Sequence, residues 1–62
     1  MYAFISTPYG LYKIYSHGDD WQVKGPGGFE RWFSNWRADS KASLARVVHN
    51  IPLADYADLV IC

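Results

Sequence analysis

The chain has 62 residues, and its six Lys and Arg side chains balance six Asp and Glu side chains. A chain of this length has room for one hydrophobic core, so we expect residues 1–62 to form a single small domain, and a multidomain enzyme is excluded. The zero net charge also excludes a strongly basic nucleic-acid arm or an acidic tail as a description of the whole chain.

Aromatic residues are the unusual feature of the composition. The chain contains three Trp, five Tyr and three Phe, and with Leu, Ile and Val the large apolar side chains number 23. A domain this small cannot easily bury so many. We therefore expect some of them on the surface, where a contiguous apolar patch commonly marks a binding site.

The first 28 residues predict three strands separated by turns. Segments 2–7 and 11–16 are rich in β-branched and aromatic residues, and segment 21–24 alternates apolar and polar side chains. Each is followed by a segment of glycine with proline or aspartate, which favours a turn. The first two strands are expected to pair as a hairpin, with the third beside them.

Residues 29–37 fit two structures. Their aromatic residues have the i, i+3, i+4, i+7 spacing of a helix: Phe29, Trp32, Phe33 and Trp36. The high aromatic content and the preceding glycine-rich turn instead favour a fourth antiparallel strand that ends near Phe33 or Ser34. We favour the strand, because the helix predicted next along the chain needs a sheet to cover.

A helix is predicted from about Ser40 to Asn50. Asp39 or Ser40 can cap its N-terminus, and Asn50 and Pro52 end it. Its apolar residues repeat with helical spacing: Leu44, Val47, Val48 and Ile51.

The last ten residues leave two alternatives open. The run Leu59-Val60-Ile61-Cys62 predicts a terminal edge strand, which we prefer, whereas another set has the spacing of one short helical face: Leu53, Tyr56, Ala57 and Val60. The expected fold is α+β, a small antiparallel meander of three to four strands packed on one α-helix in the C-terminal half, with this short terminal strand.

No spacing identifies a catalytic or metal site. His17 falls in a predicted turn, His49 lies near the helix C-terminus, where it interacts favourably with the last carbonyls, and Cys62 is the only thiol. Zinc sites need closely spaced Cys or His pairs, which the sequence lacks. We therefore expect no catalytic residue, no metal and no cofactor.

Two groups of residues are the candidate binding residues. On the first two strands, alternation places Tyr2, Phe4 and Tyr15 on a face that a single helix on the other side leaves uncovered. Segment 29–37 concentrates the residue types most enriched at binding hot spots, and Lys24 adds a positive charge nearby. Those residues of the segment are Arg31, Trp32, Trp36 and Arg37. Each of them alone could equally serve core packing or a surface cation–π pair.

These residues predict a non-enzymatic protein that binds, and modulates or inhibits, a partner protein. We expect it in the cytoplasm, because it has one cysteine and neither a transmembrane segment nor a signal-peptide pattern, and membrane binding is not expected. Such short binding proteins are typical accessory products of phages and mobile elements.

The alternative is a sheet-based nucleic-acid binder, in which aromatic rings stack on bases and basic residues contact phosphates. A homodimer that buries the same face is compatible with both.

Overall fold

The computed structural model describes residues 2–34 and 41–62. Within these ranges lie five strands and one α-helix: β1 (Tyr2–Thr7), β2 (Gly10–His17), β3 (Asp20–Lys24), β4 (Glu30–Phe33), α1 (Lys41–His49) and β5 (Leu59–Ile61). The strands form one antiparallel sheet in the order β4-β3-β2-β1-β5, so that β4 and β5 are its two edges.

The first four strands form a meander with short connections. Thr7 pairs with Gly10 and His17 pairs with Asp20, which leaves two-residue turns between the strands. Gly18 has a φ of +62° in the second turn, a conformation that glycine adopts without steric cost. Between β3 and β4, the N–H of Gly25 donates to the carbonyl of Phe29 at 2.9 Å and closes the loop.

The hydrophobic core lies between one face of the sheet and α1. Side chains at alternate positions of the first four strands are buried there: Ala3, Ile5, Tyr12, Ile14, Trp21, Val23 and Phe33. The helix and the residues after it contribute Leu44, Val47, Val48 and Ile51. These four positions carry the predicted helical spacing, and α1 therefore buries one stripe of its surface against the sheet.

The connection from α1 to β5 contains a single helical turn, Tyr56–Asp58. The Asp55 carboxylate accepts from the N–H of Ala57 at 3.0 Å and caps this turn. Leu53, just before it, has a φ of +57°, and its side chain is 68% exposed.

The structure confirms the expected α+β fold, with its helix in the C-terminal half. The strand interpretation of segment 29–37 is confirmed for Glu30–Phe33, and the preferred terminal strand is present as Leu59–Ile61. The alternative of a helical face over residues 53–60 is wrong beyond the one turn at Tyr56–Asp58. The predicted caps at positions 39 and 40 lie outside the described residues. No helix in the described part of the chain is long and apolar enough to cross a membrane.

Candidate binding surface

The face of the sheet opposite the core carries the candidate surface, which we call the open face. The register of the strands aligns the side chains of this face in two main rows, because residues that are cross-strand partners point to the same face of the sheet. One row consists of Tyr2, Tyr15, Gln22 and Trp32, and the next consists of Val60, Phe4, Lys13, Lys24 and Glu30. Leu11 opposite Ser6 and His17 opposite Asp20 continue this face towards its two ends.

A band of aromatic rings crosses the open face. At one end of the band, the Tyr2 ring lies between two others. Its centroid is 5.1 Å from that of Tyr15 and 6.2 Å from that of Phe4. The Tyr15 ring centroid lies 6.4 Å from that of His17, and the His17 centroid lies 5.2 Å from that of Trp32. The ring planes of both pairs are tilted. Phe4, Tyr2 and Tyr15 are half-buried by these contacts, whereas Trp32 is 52% exposed. The five rings form a continuous aromatic surface, which we call the aromatic band.

A chain of hydrogen bonds supports the Trp32 end of the band. Gln22, only 8% exposed, donates from Nε2 to Oε2 of Glu30 at 2.6 Å. A carboxylate accepts hydrogen bonds, so this contact directs Oε1 of Gln22 towards Nε2 of His17, 2.9 Å away. His17 must therefore carry a hydrogen on Nε2. The imidazole that contacts the Trp32 ring is held in one orientation, with its Nε2–H directed at Oε1 of Gln22.

The charges on the open face lie mainly in the row beside the aromatic band. Lys13 and Lys24 are direct cross-strand partners, and Glu30 is the partner of Lys24 on its other side. Like charges directly opposite each other are unfavourable, which makes the two lysines a place where an acidic group of a ligand would be favoured. The described side chains of the open face therefore include two ammonium groups, those of Lys13 and Lys24. They also include two carboxylates, those of Glu30 and of Asp20, which lies opposite His17.

Five of the predicted site residues come together on this face: Tyr2, Phe4, Tyr15, Lys24 and Trp32. Arg31 does not join them. It pairs with Val23 on the core side of the sheet, and its guanidinium carbon lies 5.0 Å from the Phe33 ring centroid, which is a cation–π arrangement at the β4 edge. Trp36 and Arg37 lie outside the described residues.

The sequence did not identify several residues of the open face as candidates. The sequence predicts a turn at His17, but in the structure His17 is the last residue of β2 and its ring contacts those of Tyr15 and Trp32. Gln22 and Glu30 meet only because β3 and β4 pair in the observed register. The signal for His17 was the alternation of β2, since Lys13, Tyr15 and His17 are two residues apart along the strand.

Among residues 2–34 and 41–62, no three or more His, Cys, Asp or Glu side chains form a group that could hold a metal ion. No protein family, curated protein or solved structure matches this chain.

Proposed function

We propose that this chain is a non-enzymatic binding protein that docks a partner protein on its open face and thereby modulates or inhibits it. The observation that carries this proposal is the aromatic band, which ends in the half-exposed Trp32. Tyr, Trp and Phe are enriched at the centres of protein interfaces, where they supply a large contact area.

The arrangement of the rings favours a protein partner. They pack against one another with tilted planes of 38° to 43°, so they present one continuous surface rather than separate slots for single bases. The charged residues beside them supply a polar margin, as in typical interfaces. The partner surface that fits is apolar at its centre and carries acidic side chains where it meets Lys13 and Lys24.

The open face is also well ordered for binding. The ring contacts restrict Tyr2 and Tyr15, and the hydrogen bonds through Gln22 hold the His17 ring beside Trp32. Side chains that are already restricted lose less conformational entropy when a partner binds. The partner would be blocked or biased by occupation of its surface, and the setting that we propose is the cytoplasm.

The experiment is affinity capture from a lysate of the source cells, followed by measurement of binding to the retained protein. Trp32→Ala should weaken binding by about 2 kcal/mol, or roughly thirtyfold, if Trp32 is a hot spot. Tyr56→Ala is the matched control, because Tyr56 is a 46% exposed aromatic residue outside the sheet. Circular dichroism must show that both variants fold. Equal binding by Trp32→Ala and the parent chain would contradict the proposal.

The opposed lysines support a second candidate, a single-stranded nucleic acid. Lys13 and Lys24 could contact phosphates while bases stack on the neighbouring rings. Two phosphate contacts give a slope of only about −1.4 in the dependence of log affinity on log salt concentration, and the two carboxylates of the face oppose this binding.

Nuclease treatment of the lysate separates the two candidates. A protein partner is retained after nuclease treatment, and a nucleic acid is lost. In direct titrations with a labelled oligothymidylate, replacement of both lysines by glutamine should weaken binding and flatten the salt dependence only if the open face binds nucleic acid.

A further inference from the structure

The outer edge of β5 has backbone groups that are oriented to pair with another strand. The N–H of Cys62 donates to the carbonyl of Tyr2 at 2.9 Å, so Cys62 and, two residues earlier, Val60 direct their backbone groups towards β1. The N–H and C=O of Ile61 therefore point away from β1, outward from the edge and in the plane of the sheet. The C=O of Leu59 points in the same direction. The N–H of Leu59 is already donated to the carbonyl of Tyr56.

The side chains of this edge are apolar on both faces. Val60 lies on the open face and is 45% exposed, and Ile61 lies on the core face and is 46% exposed. The other edge differs, because β4 carries exposed Glu30 and Arg31 on its two faces. Proteins commonly place charges on edge strands to prevent pairing with other chains. Such protection is present on β4, but β5 carries no charge.

We propose that β5 pairs antiparallel with β5 of a second copy of this chain, about a two-fold axis at Ile61. The N–H of each Ile61 then donates to the C=O of the other, and both groups are the outward-pointing ones of the edge. This register also places each Val60 opposite Cys62 of the second copy. The proposal is independent of the partner protein on the open face.

Charge favours this pairing over a dimer that buries the open face. Residues 59–62 carry no charged side chain, so no charged side chains of like sign meet where two β5 edges approach. A two-fold dimer whose axis passes the Lys13–Lys24 pair of the open face would instead bring four ammonium groups together, with only the Glu30 carboxylate of each copy in the same row to offset them.

The contact is short, and this sets the expected strength. A three-residue edge buries much less than the roughly 800 Å² per partner of a standard stable interface. We expect a weak dimer that forms as the concentration rises and dissociates on dilution.

Sedimentation velocity across a concentration series tests the pairing. The parent chain should shift from monomer to dimer, and Ile61→Lys should remain monomeric because it places two ammonium groups opposite each other at the axis. Leu53→Lys is the control, since it adds the same charge at a more exposed apolar residue outside the sheet and should leave the dimer intact. Circular dichroism verifies the fold of each variant.

A disulfide test identifies the register without depending on Ile61→Lys. With Cys62→Ser to remove the native thiol, Ile61→Cys should join two chains under mild oxidation. Directly opposed residues of a hydrogen-bonded pair have Cα atoms about 5.5 Å apart, within the range that a disulfide spans. Leu53→Cys with Cys62→Ser should not cross-link. A chain that is monomeric at every concentration, a dimer that survives Ile61→Lys, or failure of Ile61→Cys to cross-link overturns the proposal.

Discussion

Replacement of Gly25 by alanine tests how the β3–β4 loop is fixed to the core. Gly25 has a φ of −142° and a ψ of −173°, an extended conformation that any residue adopts, so alanine causes no backbone strain here. An added Cβ would, however, overlap Cδ2 and Cε2 of the Tyr12 ring and lie 3.2 Å from its Cγ. Tyr12 is 3% exposed and is held edge-to-face against Phe29, with centroids 5.2 Å apart. The ring therefore has little space to move.

The magnitude follows from two opposing effects. Overpacking of a core lowers the free energy of unfolding by about 1–3 kcal/mol. Alanine also reduces the conformational entropy of the unfolded chain, which raises the free energy of unfolding by about 0.4–1 kcal/mol. We expect Gly25→Ala to lower the free energy of unfolding by about 1–2 kcal/mol. For a domain of this size the thermal midpoint falls by about 4–8 °C per kcal/mol, which is readily measured by circular dichroism or calorimetry.

A double-mutant cycle with Tyr12→Val isolates the contact. Valine has no ring atoms over Gly25, so the cost of Gly25→Ala should largely disappear in that background. Gly28→Ala is the control: Gly28 has a φ of +77° and open space around it, so its cost arises from the backbone and should be the same in both backgrounds. The reasoning is refuted if Gly25→Ala is as stable as the parent chain, or if its cost is unchanged by Tyr12→Val.

Three further predictions concern other parts of the molecule. Leu53→Gly should raise the free energy of unfolding by up to about 1 kcal/mol in chemical denaturation, because Leu53 is exposed with a φ of +57° and glycine relieves that conformation. Nitrogen-15 NMR of neutral His17 should show the hydrogen on Nε2, and Glu30→Ala, which frees the Gln22 amide to rotate, should allow both tautomers. Arg31→Met should cost about 0.5–1 kcal/mol in thermal unfolding, because it removes the cation–π contact with Phe33, and it should leave partner binding unchanged.

Side-chain periodicity was sufficient to predict most of the architecture. The alternation of β1 separates Ala3 and Ile5, which are fully buried, from Tyr2 and Phe4 on the open face. The helical spacing of the apolar residues from Leu44 onwards predicted α1 in the same way. Both patterns are local and repeat over several residues, so they do not depend on how the elements pair.

The candidate site was only partly predictable, for two physical reasons. Arg31 and Trp32 were grouped by composition, but neighbouring residues of a strand point to opposite faces, and only Trp32 reaches the open face. The contacts through Gln22 depend on the register between β3 and β4, which is set by the geometry of the 25–29 loop. A shift by one residue would move Gln22 away from Glu30, and residue types alone do not specify that register.

The edge pairing and the open face lead together to a further structural consequence. A two-fold axis at the junction of two antiparallel edge strands in one continuous sheet is perpendicular to that sheet, so both open faces lie on the same side. Val60, the cross-strand partner of Phe4, then continues the apolar end of that row to the junction in each copy. The dimer would present two aromatic bands side by side without covering either. In such a dimer, partner binding on the open faces and pairing of the β5 edges would not compete, and a partner with two such sites would gain avidity from the pair.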